Sequence, residues 1–222
     1  MMELTTTEEN YLKAILKISW EEESDNIRSN TLANFLGVKP ASANEMLKKL
    51  KSKNLIEQEK YGKIALTNEG RLFAIDIVRK HRIWETFLYE KLQFTWDEVH
   101  DVAEQLEHIQ SPKLIEKLYL YLGKPTIDPH GDPIPDEQGN IQKVEKMTLT
   151  EVPVGKSCKM VAVKDNSSPF LQYLIHLGIE LQDHIKVISR AEFDGLCTIE
   201  VAHQTHIVSE KFSNNIWVIA VE

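Results

Sequence analysis

Residues 29–66 read SNTLANFLGVKPASANEMLKKLKSKNLIEQEKYGKIAL. Leu32, Ala33 and Leu36 share one helical face, Gly37-Val38 makes a tight turn, and Pro40 stands near the start of a second helix. Proline is well placed there because the first turn has no intrahelical use for its missing N–H. Ala43, Met46, Leu47 and Leu50 continue the second helix at helical spacing to about Lys53. Two short strand-like runs, 55–59 and 64–66, then flank Tyr61-Gly62-Lys63. Helix, glycine turn, helix and a two-stranded hairpin is the pattern of a winged helix-turn-helix that reads duplex DNA. Lys39, Pro40, Ala41, Ser42 and Asn44 would enter the major groove at the start of the second helix. Asn44 suits adenine and Ala41 suits a thymine methyl. Lys48, Lys49, Lys60 and Lys63 suit phosphates, which position without specifying, and Arg28 belongs to the same basic segment.

Charge supports that reading. Residues 26–63 carry eight basic side chains against three acidic ones, inside a 222-residue chain of net charge −8. A basic island in an acidic protein is a local footprint for a polyanion, not a general affinity for one. The N-terminus shows no basic region followed by an apolar run, and no stretch approaches the length of a membrane helix. Cys158 and Cys197 are too few for a disulfide framework. The expectation is a cytoplasmic protein with no membrane partner.

On either side of the winged helix the pattern is helical. Residues 5–20 form an amphipathic helix that Thr6 or Thr7 can cap, with Glu8 and Glu9 in its first turn. Thr67 caps a long helix running to about Leu92, a second helix covers about 95–109, and a third runs from Ser111-Pro112 to Leu122. His81 and Glu85 lie one turn apart on the long helix, and His100, Glu104, Glu107 and His108 form a stripe on the second. Imidazoles and carboxylates among Ile83, Trp84, Phe87, Val99, Val102 and Leu106 are expensive to bury unless something pairs with them. A divalent metal would pair with all of them. The aromatic and leucine content of 84–122 exceeds the need of one small core, which predicts a homodimer with two recognition helices about one DNA turn, ~34–36 Å, apart.

Residues 123–140, GKPTIDPHGDPIPDEQGN, hold four prolines and three glycines and read as a semi-rigid linker. His130 in this linker has a metal reading, but a lone linker histidine more often reads as an ordinary polar residue. From Met147 onward, alternating runs such as 159–163, 185–188, 197–201 and 216–221 read as strands, with a short helix at 168–177 ending on Gly178. They predict a small SH3-like barrel. The fold class is therefore mainly α with a small all-β domain. The expected division is 1–74 winged helix-turn-helix, 75–140 helical metal-binding and dimerisation domain with its linker at 123–140, and 141–222 barrel.

The combination resembles the diphtheria toxin repressor family of iron- and manganese-dependent transcriptional repressors, in its three-domain, manganese-transport-regulator-like form. The residues that carry the likeness are TTEENYLKAI (6–15), VKPASANEMLKKLKSKNLI (38–56), LTNEGRLFA (66–74), RKHRIWETFL (79–88), VHDVAEQLEH (99–108) and HGDPIP (130–135). The third domain resembles the ferrous-transport-accessory type. The resemblance implies a primary metal site at Glu104, Glu107, His108 and Asn10, and a second at His81, Glu85 and His100. Asn10 departs from the Met or Asp usual in the family. Asp165 or Asn166 is all that the third domain would offer as a ligand. Glu104 stands where iron-type members carry Cys, and an oxygen-rich donor set favours Mn²⁺ over Fe²⁺, with Zn²⁺ or Co²⁺ able to bind in vitro. The implied function is repression of metal-uptake genes from a double-stranded operator. Two other readings compete. A carboxylate/His metalloenzyme is disfavoured because no HExxH or nucleophile motif is present. A winged-helix sensor of an organic ligand would leave the His/Glu stripe unexplained.

Overall fold

A computed structural model describes residues 3–58, 63–136, 138–141 and 145–221, and its contacts separate into two compact units. The first takes the chain up to His81 together with Glu104–Ile115 and Pro135–Asn140. It opens on helix α1 (Thr6–Glu21), strand β1 (Ile27–Arg28), helix α2 (Ser29–Phe35) and helix α3 (Pro40–Ser52). Strands β2 (Ile56–Gln58) and β3 (Lys63–Leu66) follow, then helix α4 (Asn68–Leu92), which continues into the second unit. Thr5, rather than Thr6 or Thr7, caps α1. Its hydroxyl accepts from Glu8 N–H at 3.3 Å, and the Glu8 carboxylate accepts from Thr5 N–H at 2.8 Å. This capping box satisfies two orphan donors at once.

The wing gains a strand that periodicity could not show. β1 is two residues long and pairs with β3, so the sheet order is β1-β3-β2, antiparallel throughout. Leu12, Ile15, Leu16, Leu32, Leu47, Leu50 and Ile64 make one buried core that fixes α1, α2, α3 and the sheet together. Glu8 also receives Lys53 Nζ at 2.8 Å, so α1 is tied by charge to the residue that ends α3. Thr67 caps α4 as read from the sequence, its hydroxyl accepting from Gly70 N–H at 3.0 Å.

The second unit holds Arg82–Ala103, Glu116–Ile134 and Ile141–Glu222. It includes most of helix α5 (Val99–Leu106) and of helix α6 (Pro112–Tyr121). Helix α5 is shorter than its periodicity suggested, because Thr95–Glu98 forms a separate turn closed by Thr95 N–H on the Glu98 carboxylate. The all-β part runs β4 (Met147–Thr148), a 3₁₀ turn, β5 (Ser157–Val163), helix α7 (Ser168–Leu177), β6 (His184–Arg190), β7 (Cys197–Val201), β8 (Gln204–Val208), helix α8 (Glu210–Asn214) and β9 (Ile216–Ala220). The strands form a six-stranded antiparallel sheet in the order β4-β9-β5-β6-β7-β8. Irregularities at Met160/Ala162 and Val187/Ser189 bend it, as curled small sheets require.

The segment read as a linker is packed. Ile134 N–H donates to Thr126 O at 2.8 Å, and Ile127 bridges Pro133. Asp128 and His130 are buried. Gly131, at φ +84°, lies so close to β5 that a Cβ would overlap Val161 O and Ala162. Val163 N–H donates to His130 O at 3.1 Å. Four prolines signalled stiffness correctly, but composition carries no information about what a stiff segment lies against.

Candidate metal centres

The first unit gathers α1, the end of α5 and His81 of α4 into one polar cluster. Glu107 is fully buried. Its Oε2 lies 2.6 Å from His81 Nδ1 and 2.6 Å from Lys13 Nζ. Glu104 Oε2 takes Lys13 Nζ at 2.8 Å and faces His81 Nδ1 at 3.8 Å. Burial opposes ionisation of Glu104, but the Lys13 ammonium, with help from His81 and Lys17, holds its carboxyl below the usual range. His108 Nδ1 sits 2.5 Å from Glu9 Oε2, and Gln110 Nε2 donates to Glu9 Oε1 at 2.6 Å. A carboxylate on Nδ1 fixes the ring and turns Nε2 the other way, where it meets Glu107 Oε1 at 3.7 Å.

Two buried oxygens of the first unit are unsatisfied, one of them in this cluster and one on α1. Asn10 Oδ1 and Glu107 Oε1 are buried with no hydrogen-bond partner among the described residues. A buried acceptor without a donor costs roughly 1–3 kcal/mol. An oxygen acceptor left open beside an oriented imidazole, as at Glu107 Oε1, fits a hard or borderline divalent cation. The primary set expected from the resemblance, Asn10, Glu104, Glu107 and His108, thus lies in one unit with open lone pairs. His81, expected in the second set, here touches Glu107.

The second unit holds a separate cluster. Glu85 Oε1 lies 3.1 Å from His100 Nδ1 and 3.7 Å from His130 Nδ1. Glu85, Asp128 and His130 are all buried, and each offers one ligand atom within 4.8 Å of the others. His130 Nε2 meets Trp96 O at 3.0 Å, and its ring stacks on the Trp96 indole at 6.0 Å. Burial works against the imidazolium, yet the Glu85 and Asp128 carboxylates and the Trp96 carbonyl raise the His130 pKa to about 9. Burial, with Asp132 and Glu85 nearby, raises Asp128 to about 7 against the pull of Arg82 and His130. Asp128 also accepts from His130 N–H at 2.8 Å and Asp132 N–H at 2.9 Å, which orders the turn.

The contacts of Glu9, Lys13 and Asp128 are not legible in the sequence, and for His130 the metal reading ranks there below a plain polar one. Glu9 and Lys13 face Asn10's side of α1 at helical spacing, which was the available signal. Asp128 and His130 sit two apart in an irregular segment, where no period exists to detect. Asp165 accepts from Ser167 N–H at 2.9 Å in the turn before α7.

On the DNA side, Lys39, Pro40, Ala41, Ser42, Asn44, Lys48 and Lys49 are exposed, as are Arg28 and Lys63, while Ala43, Leu47 and Leu50 face the core. The side of α3 expected to meet bases and phosphates is thus the side open to solvent. Lys60 and the wing-tip residues Tyr61 and Gly62 lie outside the described residues. Among the described residues no helix is long and apolar enough to cross a membrane.

Residues 3–64 match the N-terminal DNA binding domain of iron dependent repressors, 67–136 match the metal binding and dimerisation domain of the same repressors, and 147–220 match the FeoA domain. The iron-dependent repressor IdeR of Mycobacterium leprae (strain TN) is 28% identical over 203 residues, spanning 88% of this chain and 82% of that protein. A manganese-dependent transcriptional repressor solved in complex with manganese superposes with a TM-score of 0.84 at 32% identity, covering 96% of this chain and 100% of that one. ScaR with bound Cd²⁺ superposes with a TM-score of 0.78 at 29% identity, covering 96% and 99%.

Proposed function

The chain belongs to the iron-dependent repressor family of metal-activated, DNA-binding transcriptional repressors, and from that premise we propose that it is a Mn²⁺-responsive repressor of metal-uptake genes. It is a transcriptional repressor and not an enzyme, and its DNA-binding and dimerisation domains imply a homodimer on duplex DNA. The division 1–74, 75–140 and 141–222 is the domain organisation we propose, with the protein acting in the cytoplasm.

The observation that carries the reading is Glu107 Oε1, buried, unpartnered and 3.7 Å from His108 Nε2, with Asn10 Oδ1 on α1 also buried and unpartnered. We assign Asn10, Glu104, Glu107 and His108 to the primary site. Bound there, the metal would supply a doubly charged centre that draws α1 and the 104–108 segment together. Asn10 lies on the helix that Lys53 ties to α3, so ordering α1 orders the reading head as well. The metal acts on DNA affinity only through its preference for the ordered state. For the second site we propose Glu85 with His100, as the resemblance implies, and with Asp128 and His130 as further donors; His81, also implied by the resemblance, remains a candidate ligand. Oxygen-rich donors favour Mn²⁺, with Fe²⁺ as the alternative and Zn²⁺ or Co²⁺ able to enter in vitro.

The test is binding to DNA upstream of the chain's own gene and of metal-transporter genes, in Mn²⁺, in anaerobic Fe²⁺ and in chelator. Coupling of the usual size predicts about 5- to 150-fold tighter binding with the activating ion. Equal affinity in all three would sink the proposal. Glu104→Cys is expected to shift the response from Mn²⁺ toward Fe²⁺.

Proton linkage gives an independent check on the second site. His130, at about 9, carries a proton at neutral pH that must leave before Nδ1 can ligate. Asp128, at about 7, adds a second proton below neutrality. Mn²⁺ affinity there should rise about tenfold per pH unit between about 7 and 9, and more steeply below. Both folded pKa values lie above their unfolded ones. The metal-free fold therefore loses stability as pH rises through the Asp128 pKa and then the His130 pKa. Calorimetry in buffers of different ionisation enthalpy reads the protons released; no proton release at pH 7 would reject the assignment.

A further inference from the structure

Lys13 is a lysine where a metal sensor has most use for an open site. Its side chain is 5% exposed, and its ammonium lies 2.8 Å from Glu104 Oε2, 2.6 Å from Glu107 Oε2 and 3.3 Å from His81 Nδ1. Two of these partners are carboxylates assigned above to the primary metal, and the third touches one of them. The ammonium thus sits at the negative focus of the cluster, delivered from α1 three residues after Asn10. A buried pair of carboxylates without a counter-ion would repel and resist ionising. Lys13 removes that problem in the metal-free chain.

We propose that Lys13 is a tethered competitor for the primary site: its ammonium holds Glu104 and Glu107 in the metal-free protein, and a divalent cation must displace it to bind. The inference rests on the metal-site reading given above. A singly and a doubly charged cation drawing on the same two carboxylates repel strongly in a half-buried site. The flexible four-carbon stem lets the ammonium leave without moving the backbone. Lys13 then has two consequences. It holds α1 near the 104–107 segment before metal arrives, so the metal-free state keeps part of its order. It also raises the concentration at which metal takes over, so the response begins only when the ion is plentiful. Glu9 and Asn10 do not share this role, because Glu9 is engaged by His108 and Gln110 while Asn10 Oδ1 stays open.

The experiment titrates Mn²⁺ into the full-length wild type, Lys13→Met and Lys13→Gln by calorimetry, with thermal melts of each in chelator. Lys13→Gln keeps an N–H donor without the charge and serves if the methionine variant does not fold. Both variants are expected to bind Mn²⁺ about tenfold tighter or more at the primary site, and to melt earlier than wild type in chelator. In parallel, amine-reactive labelling of wild type read by mass spectrometry should show Lys13 protected in chelator and modified faster in Mn²⁺. Variants that bind Mn²⁺ no tighter than wild type, or a Lys13 that stays protected when Mn²⁺ is bound, overturn the inference and leave the metal site standing. A wild type that takes up no Mn²⁺, with Glu107→Gln indistinguishable from it, overturns the site and the inference together.

Discussion

Glu107→Ala is expected to abolish the metal response. The carboxylate is fully buried, Lys13 Nζ and His81 Nδ1 each lie 2.6 Å from Oε2, and Oε1 is open toward His108 Nε2 at 3.7 Å. Removing it has two separable effects. In chelator, Lys13 keeps only the partly exposed Glu104 as its carboxylate partner. Breaking a buried ion pair from one side costs about 3–5 kcal/mol, and exposure of Glu104 places the loss at the lower end. With metal, the site loses a direct oxygen donor. Loss of outer partners alone costs 10–100-fold in metal affinity, so at least about a hundredfold is expected here. Thermal melts with and without Mn²⁺, and anisotropy on operator DNA, would read both effects. Undiminished Mn²⁺-dependent DNA binding in this variant would remove Glu107 from the site.

Trp96→Ala has the second large effect, and it acts in the other unit. Trp96 comes from the short turn that breaks the His/Glu helices, yet it is 7% exposed and belongs to the core of the six-stranded sheet. Its Nε1 donates to Pro129 O at 2.6 Å, its carbonyl meets His130 Nε2, and its ring covers the His130 imidazole. Truncating a buried tryptophan costs about 3–5 kcal/mol. It also frees the ring of His130 and the turn behind Asp128. Affinity at the second metal site should fall about 10- to 100-fold, while binding at the primary site is retained. Trp96→Phe should recover most of the stability and less of the affinity, since it keeps the ring and loses the N–H. A Trp96→Ala protein with wild-type melting would show that this side chain does not hold the sheet to the turn.

Helix α3 was legible because Ala43, Leu47 and Leu50 repeat at helical period against a solvent face of lysines. Helix α7 was legible to the residue because Gly178 ends it at φ +67°. At β8 His206 reads as a strand-surface residue, but the strand's bounds were not legible, since its pattern is mostly exposed, with Val208 alone buried. β1 was not, since two residues have no period. The proposed donors Glu104, Glu107 and His108 were visible as a stripe, and Asn10 came only through the family resemblance.

The sequence by itself determined the winged helix, the long helices, the polar stripe and the change to β structure after residue 147. Each is a local property, set by side-chain period, caps and turn residues within a few positions of one another. Only the tertiary structure decided which polar groups meet. Lys13 reaches Glu104 across 91 residues and Glu107 across 94, and Glu9 reaches His108 across 99. Periodicity states that a face is buried and is silent about what buries it. So it could not show that α1 brings an ammonium to the carboxylates, or that a proline-rich segment folds back to set Asp128 and His130 beside Glu85.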